Sequence, residues 1–173
     1  MSIPQVQSFV SSPVGLLSLK ASEQGLTHLQ VEDLAQLNPV VVVESSVNLL
    51  PATNEAYLQA QHHINDTVAQ LTEYFAGIRQ SFSVSLAPKG TEFQHQVWQA
   101  LRELPFGQHC SYSDIANTIG RPKAVRAVGA ANGANPIAII VPCHRVIGKG
   151  GKLTGYAYGL DMKQWLLNIE KTQ

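Results

Sequence analysis

Hydrophobic and polar residues alternate in three short runs near the start of the chain, at positions 6–10, 16–20 and 26–31. The runs are separated by Ser-Pro-Val-Gly and Glu-Gln-Gly, which are sequences typical of tight turns. This pattern predicts an antiparallel β-meander. The alternation returns at positions 81–86, which predicts one further strand.

A helical period takes over between residues 54 and 76, where apolar side chains recur every three or four positions. Residues 33–51 carry valines between two prolines and are expected to form a loop or an irregular crossing. Residues 1–88 are therefore predicted to form a small α/β domain, an antiparallel sheet plus a helix. The sequence Ala-Pro-Lys-Gly marks the boundary to a second domain, residues 89–173.

The second domain has a mainly helical pattern. Thr91 is the expected N-cap of a helix that runs to about residue 104, with apolar side chains on one face. An apolar run before residue 142 predicts a buried strand, and the loop after it would supply a wing. Residues 162–171 are predicted to form a closing helix.

Two short helices with a very short turn between them are predicted in the middle of this domain. Ser113 is the expected N-cap of a helix over 114–120, which Gly120 ends, and Pro122 opens the next helix over 123–132. Such a pair is typical of a helix-turn-helix.

Composition describes an ordinary globular protein: 173 residues, 45% hydrophobic and 14% charged. The first residues lack the basic and apolar regions of a signal peptide, and no apolar run is long enough to span a bilayer. The two cysteines make no disulfide framework, which suits a reducing compartment. We expect a soluble cytoplasmic protein that is monomeric in solution.

Charge is distributed unevenly, although the formal net charge is zero. Residues 1–88 carry two cations and seven anions, a balance of −5, whereas residues 89–173 carry ten cations and five anions, a balance of +5. The second half is therefore the part expected to meet a polyanion.

The third helix of the second domain consists mainly of small residues. Ala124, Ala127 and Gly129 flank one long cationic side chain, Arg126. Small residues allow the backbone to approach a narrow DNA groove, with the arginine inserted as a wedge. A tightly packed core helix favours the same small residues, so the pattern leaves both interpretations open.

The strongest candidate for chemistry is Cys143, which lies in a Pro-Cys-His-Arg sequence at the end of the predicted buried strand. His144 offers a base and Arg145 a cation, and both features favour a reactive thiolate. A free cysteine in a strand is more often a small buried hydrophobe. The four-residue sequence alone does not decide between these interpretations.

Several motifs together resemble the O6-alkylguanine-DNA alkyltransferase family, the methylated-DNA–protein-cysteine methyltransferases. They cover residues 90–170 in order and spacing, while residues 1–88 fit the variable N-terminal domain only in size and coarse pattern. The matching stretches are Gly-Thr-Glu-Phe-Gln with Val-Trp, Pro-Phe-Gly, Ser-Tyr, Lys-Ala-Val-Arg-Ala-Val-Gly, Gly-Ala-Asn-Pro, Val-Pro-Cys-His-Arg-Val and Trp-Leu-Leu-Asn-Ile-Glu.

The resemblance implies a ribonuclease-H-like N-terminal domain and a winged helix-turn-helix C-terminal domain. It implies direct repair of double-stranded DNA that contains O6-alkylguanine, with O4-alkylthymine as a further candidate substrate. The alkyl group would pass irreversibly to Cys143, so the protein would act once and need no cofactor or metal. His144 would take the thiol proton through a water, and Glu170 would orient His144.

The resemblance also implies roles around the substrate. Tyr112 would push at the 3′ phosphate of the flipped nucleotide and donate to guanine N3, while Arg126 would fill the vacated space. Asn135 is similar to a hinge asparagine between the helix-turn-helix and the active-site turn. The backbone carbonyl of Val146, with that of Cys143, would receive the guanine amino group.

Three residues would wall the substrate pocket: Tyr156, Ala157 and Tyr158. Many family members have Ser and Gly where this chain has Ala157 and Tyr158. The change removes a hydroxyl donor and adds bulk at the pocket mouth, which predicts reduced tolerance of bulky O6 adducts.

Two other classes of function remain as alternatives. A helix-turn-helix regulator or lesion sensor would bind DNA without chemistry, which explains the basic half but not Cys143, His144 and Glu170. A thiol hydrolase would use a cysteine and a histidine from distant segments, whereas these two are adjacent in sequence.

Overall fold

The computed structural model describes residues 5–33 and 54–171, so residues 34–51 of the expected irregular crossing lie outside the described ranges. The chain divides into two compact units, Met1–Lys89 and Gly90–Gln173. The first unit contains strands β1 (Val6–Ser12), β2 (Gly15–Ser22) and β3 (Gly25–Val31) and helix α1 (Glu55–Phe75).

The three strands form an antiparallel sheet in the order β1-β2-β3, as the alternating pattern predicted. Leu17, Leu19 and Leu29 are fully buried on the sheet, and helix α1 packs against it with Ile64 and Leu71. Burial of large aliphatic side chains contributes about 1.5–3 kcal/mol each. The predicted antiparallel sheet plus helix is confirmed.

The further strand predicted at residues 81–86 is wrong, because the structure has only an isolated parallel bridge between Leu26 and Leu86. The backbone N–H of Leu26 donates to the carbonyl of Ser85 at 2.8 Å. The backbone N–H of Ser83 instead donates to the side chain of Gln70 in α1, at 2.9 Å. The side chain of Gln70 thus accepts a backbone hydrogen bond that pairing with a neighbouring strand would require.

The second unit is mainly helical, as predicted. Thr91 caps its first helix: its hydroxyl accepts from the Gln94 backbone, and the Gln94 side chain accepts from the Thr91 backbone. Two short strands pair in parallel. In chain order the elements are α2 (Glu92–Arg102), β4 (Cys110–Ser111), α3 (Tyr112–Thr118), α4 (Val125–Gly133), β5 (Val146–Ile147) and α5 (Leu160–Lys171).

Two helix starts differ from the prediction. Helix α3 is capped by Ser111 rather than Ser113, because Asp114 completes a reciprocal capping box with Ser111 at 2.8 and 3.2 Å. The helix predicted over 123–132 begins at Val125, because residues 122–123 form a turn before it.

Helix α4 has one buried face, as expected for a packed core helix, and one exposed face, on which the DNA-binding role stays a prediction. Val128 and Ala131 are buried, and the indole nitrogen of Trp98 in α2 donates to the carbonyl of Ala131 at 2.9 Å. Arg126 and Ala127 lie on the exposed face. The contact with α2 fixes α4 in place while leaving that face open.

Candidate active site

The segment that carries Cys143 is buried, but it is not the strand that its apolar residues predicted. Ile139 has a φ of +71°, which is in the left-handed region, and the backbone N–H of Val141 donates to the carbonyl of Ile137 at 3.1 Å. The chain turns there instead of extending. Cys143 begins a short 3-10 turn, Cys143–Arg145, and β5 starts only after it.

The side chain of Asn135 holds this turn. Its Nδ2 donates to the carbonyl of Val141 at 2.8 Å, and its Oδ1 accepts from the backbone N–H of Ile137 at 3.0 Å. One amide thereby replaces the backbone partners that a strand would have supplied. The left-handed residue costs about 1–2 kcal/mol, which these hydrogen bonds and the burial of the turn offset.

Three charged or ionisable side chains form a buried network that begins at the residue after Cys143. His144 Nε2 lies 2.7 Å from Glu170 Oε1. Arg145 donates through Nε to Glu170 Oε2 at 2.9 Å and through Nη2 to Oε1 at 3.0 Å. A third bond runs from Arg145 Nη1 to the carbonyl of Leu104 at 2.8 Å. All three side chains are buried.

The network determines which nitrogen of His144 can act as a base. Burial alone would raise the pKa of Glu170, but hydrogen bonds from His144 and Arg145 outweigh it and hold that pKa at about 2. An ionised carboxylate only accepts, so Nε2 must carry the proton in this bond. Burial lowers the pKa of His144, against the opposing effect of Glu170. The neutral imidazole therefore keeps a lone pair on Nδ1, which has no hydrogen-bond partner among the described residues.

Cys143 opens into a cavity of about 270 Å³. The sequence-predicted residues Tyr112, Gly129 and Asn135 line it, as do the three proposed wall residues. Tyr156 and Tyr158 meet edge to face with ring centroids 5.6 Å apart. The full lining is Tyr112, Gly129, Asn132, Gly133, Asn135, Cys143, Gly155, Tyr156, Ala157 and Tyr158.

The remaining predicted residues do not line this cavity. His144 and Val146 are fully buried, and Glu170 is buried as well. Ala124 precedes α4. Gly129 and Gly133 are the small residues of α4 that line the cavity, and a Cβ at Gly129 would lie 3.9 Å from the Tyr112 ring.

Burial raises the pKa of Cys143 above its ordinary value, contrary to the lowering that an adjacent base and cation suggested. A hydrogen bond from Asn135 and the charge of Lys163 oppose this effect without overcoming it. The guanidinium of Arg145 is engaged by Glu170 and so does not serve as the cation of the thiol. The thiol is therefore mostly protonated at rest and needs a base when it reacts.

Sequence reasoning missed Lys163, Asn132 and the pairing of Arg145. Lys163 precedes the buried Leu166 and Glu170 by three and seven positions, so helical spacing places it on the buried face of α5. Asn132 is buried on α4 and lines the cavity. The small residues around it in the sequence do not predict this position. The pairing of Arg145 with Glu170 spans 25 residues, which no local pattern encodes.

Residues 5–33 and 54–171 lack the features of a metal site and of a membrane-spanning helix. Side chains of His, Cys, Asp and Glu do not gather there in groups of three that could hold a metal ion. None of the helices in these ranges combines the length and apolarity that a membrane span requires.

Both units match a single family. Residues 92–172 match 6-O-methylguanine DNA methyltransferase, DNA binding domain, and residues 6–88 match 6-O-methylguanine DNA methyltransferase, ribonuclease-like domain. The methylated-DNA--protein-cysteine methyltransferase of Methanosarcina acetivorans is 50% identical over 159 residues, 92% of this chain and 94% of that protein. An inducible protein of the same name from Bacillus subtilis is 60% identical over 102 residues, 59% of this chain and 57% of that protein.

Solved structures are similar over nearly the whole chain. The crystal structure of Mycobacterium tuberculosis O6-methylguanine methyltransferase aligns with a TM-score of 0.76 at 42% identity, covering 98% of this chain and 94% of that one. A structure of Mycobacterium tuberculosis OGT in complex with DNA aligns with a TM-score of 0.76 at 43% identity, covering 95% and 91%.

Proposed function

The chain belongs to the family of O6-methylguanine DNA methyltransferases, and we propose on that premise that it repairs O6-alkylguanine in double-stranded DNA by moving the alkyl group to Cys143. The observation that carries the proposal is the position of this thiol. It lines a cavity of about 270 Å³, and the next residue, the buried His144, is paired with Glu170 at 2.7 Å. O4-alkylthymine is a second candidate substrate of the same chemistry.

The exposed face of α4 delivers the damaged base. A base inside a duplex is out of reach, so the nucleotide must leave the stack at a cost of a few kcal/mol. Ala124, Ala127 and Gly129 let the backbone of α4 approach the groove closely, and Arg126 fills the space that the base leaves. Tyr112, at the start of α3 and on the cavity wall, pushes at the 3′ phosphate.

The transfer step uses the tautomer that the buried network favours. His144 takes the thiol proton at Nδ1 through a water, while Glu170 fixes the ring through Nε2. The Cys143 thiolate attacks the alkyl carbon in line with its bond to O6. The S–C bond forms, the C–O6 bond breaks, and its electron pair stays on guanine, whose negative charge Tyr112 stabilises by donating a hydrogen bond to N3. The proton that His144 took from the thiol returns through water to guanine N1, which leaves normal guanine and a neutral imidazole.

The cavity wall orients the base during this step. The carbonyls of Cys143 and Val146 receive the guanine amino group, and Asn135 holds the segment that leads into Cys143 through the carbonyl of Val141. Tyr156, Ala157 and Tyr158 form the wall and restrict the size of the O6 substituent.

The product is a thioether, which no neighbouring group can hydrolyse, so each protein molecule acts once and needs no cofactor. A lesion sensor that binds without chemistry accounts for the exposed face of α4. It gives no reason for a thiol in the cavity followed by a histidine that is buried and paired with a glutamate.

The test is to incubate the protein with a duplex containing one O6-methylguanine and to weigh its cysteine peptides. We expect one methyl group on the Cys143 peptide and normal guanine in the DNA. The Cys143→Ser variant should leave the lesion intact, whereas Cys110→Ser, the matched control, should behave as the unmodified protein. An intact lesion bound to unmodified protein would favour the sensor.

A further inference from the structure

We propose that Lys163 is a positioning residue for alkyl transfer: its buried ammonium ties the strand after the nucleophile to the segment that enters the cavity wall, and places a positive charge near the reacting sulfur. This role presupposes that Cys143 is the alkyl acceptor proposed above. Nothing in the sequence motifs singled out this lysine.

The ammonium of Lys163 is held entirely by backbone carbonyls. Its Nζ donates to the carbonyl of Val146 at 2.6 Å and to that of Thr154 at 2.9 Å, and it lies 3.5 Å from the carbonyl of Gly155. The residue has no exposed surface. Lysine is almost never fully buried unless it is paired, yet no carboxylate in the described part of the chain forms an ion pair with it. Backbone carbonyls accept the hydrogen bonds of its N–H groups, but no carboxylate within residues 5–33 and 54–171 balances its positive charge.

The carbonyls that Lys163 binds belong to two segments, and the reaction needs these segments at a fixed distance from each other. Val146 follows the Cys143–Arg145 turn, and Gly155 is itself part of the cavity lining, next to Tyr156. Removing the ammonium would leave the buried carbonyl of Val146 without this donor, a loss that such groups tolerate poorly, and would release the carbonyl of Thr154 from its bond to α5. We therefore expect the spacing between the turn and the wall to depend on Lys163.

The charge itself favours the reacting form of the nucleophile. Burial raises the pKa of Cys143, and the positive charge of Lys163 acts in the opposite direction. Reciprocally, burial lowers the pKa of Lys163 and the Cys143 charge raises it. Among the described residues, three other ionisable groups lie close to Lys163 and Cys143. His144 and Arg145 belong to the same turn as Cys143, and Glu170 on α5 binds both of them. A charge that interacts with a thiolate but little with a thiol stabilises the developing reaction more than the resting state.

The experiment compares Lys163→Met with Lys171→Met, which removes an exposed lysine from the same helix. Three quantities are measured from pH 6 to 10: the single-turnover rate on O6-methylguanine duplex, the affinity for that duplex, and the reaction of Cys143 with iodoacetamide without DNA. A nearby opposite charge typically changes its neighbour's proton equilibrium about tenfold or more. We expect K163M to slow both reactions about tenfold near neutral pH, to move both pH profiles to higher pH, and to leave DNA affinity within about twofold.

Lys163→Arg separates charge from shape. It keeps the charge in a bulkier side chain, so the iodoacetamide pH profile should stay close to that of the unmodified protein even where the transfer rate falls. Unchanged profiles and rates in K163M would overturn the proposal. A lower rate with an unmoved pH profile would also overturn its electrostatic part and leave only a packing role.

A measurement on the unsubstituted protein covers the case in which K163M does not fold. The lysine side chains are labelled with ¹³C and titrated by NMR before and after S-methylation of Cys143. We expect one lysine to titrate at lower pH once the thiol can no longer ionise, and no such change would contradict the coupling. The iodoacetamide and NMR measurements need no DNA. A failure of the proposed function would show separately, as an unmodified Cys143 in the parent protein.

Discussion

Arg145 offers the sharpest prediction about the buried network, because it neutralises a carboxylate that has almost no access to water. Its guanidinium donates two hydrogen bonds to Glu170, at 2.9 and 3.0 Å, and one to the carbonyl of Leu104, at 2.8 Å. Glu170 is 3% exposed. Removing one partner of a buried ion pair typically costs about 3–5 kcal/mol. We expect Arg145→Met to lower the free energy of unfolding of the second unit by that amount.

The double variant R145M/E170Q isolates the cause. Glutamine removes the negative charge and keeps an oxygen that can accept from His144 Nε2. If an uncompensated carboxylate accounts for most of the loss, the second substitution should restore about 1–3 kcal/mol even though it removes a native side chain. If the two substitutions acted independently, their costs in free energy of unfolding would add, and the double variant would be less stable than R145M.

Urea denaturation followed by tryptophan fluorescence measures these differences in the relevant unit. Both tryptophans of the chain, Trp98 and Trp165, belong to Gly90–Gln173, so their emission reports that unit. A cost below about 1 kcal/mol for R145M, which is the range of exposed ion pairs, would refute the reasoning. So would a double variant that is less stable than R145M.

Three further predictions concern single positions. Burial lowers the pKa of His144 below its ordinary value of 6.5, so below that pH the unfolded chain binds a proton that the folded chain does not bind. The free energy of unfolding should therefore fall by up to about 1.4 kcal/mol per pH unit below pH 6.5. The His144→Leu variant should lack this pH dependence when its stability is measured by urea denaturation. Ile139→Gly should cost about 1–2 kcal/mol less stability in urea than Ile137→Gly, because both side chains are buried but only residue 139 has a positive φ; equal costs would contradict this. Tyr158→Gly should raise the single-turnover rate on O6-benzylguanine relative to O6-methylguanine, and equal rates on the two substrates in the unsubstituted protein would contradict the proposed size restriction.

Local patterns predicted the elements whose partners are close in sequence. Alternation identified the three-stranded meander, helical spacing identified α1, and Thr91 was a recognisable cap of α2. The misplaced cap of α3 had a readable signal, since Ser111 and Asp114 have the spacing of a capping box.

Long-range side-chain contacts explain the errors. Gln70 takes the backbone donor of Ser83, so residues 81–86 do not form a strand. Asn135 bends an apolar run that periodicity alone cannot distinguish from a strand. In the site, the Cys-His sequence pointed to Cys143 as the proposed nucleophile, but the pairing of Arg145 with Glu170 needed the folded chain. Lys163 could have been found from its spacing to the apolar residues of α5.

The most direct test of the central claim is the number of lesions that one protein molecule can repair. Protein is titrated with an excess of duplex carrying isotopically labelled O6-methylguanine, and labelled methyl groups are counted by mass spectrometry. We predict a plateau at one methyl group per molecule, all of it on Cys143. Continued repair beyond one equivalent, or label on Cys110 in place of Cys143, would contradict the account.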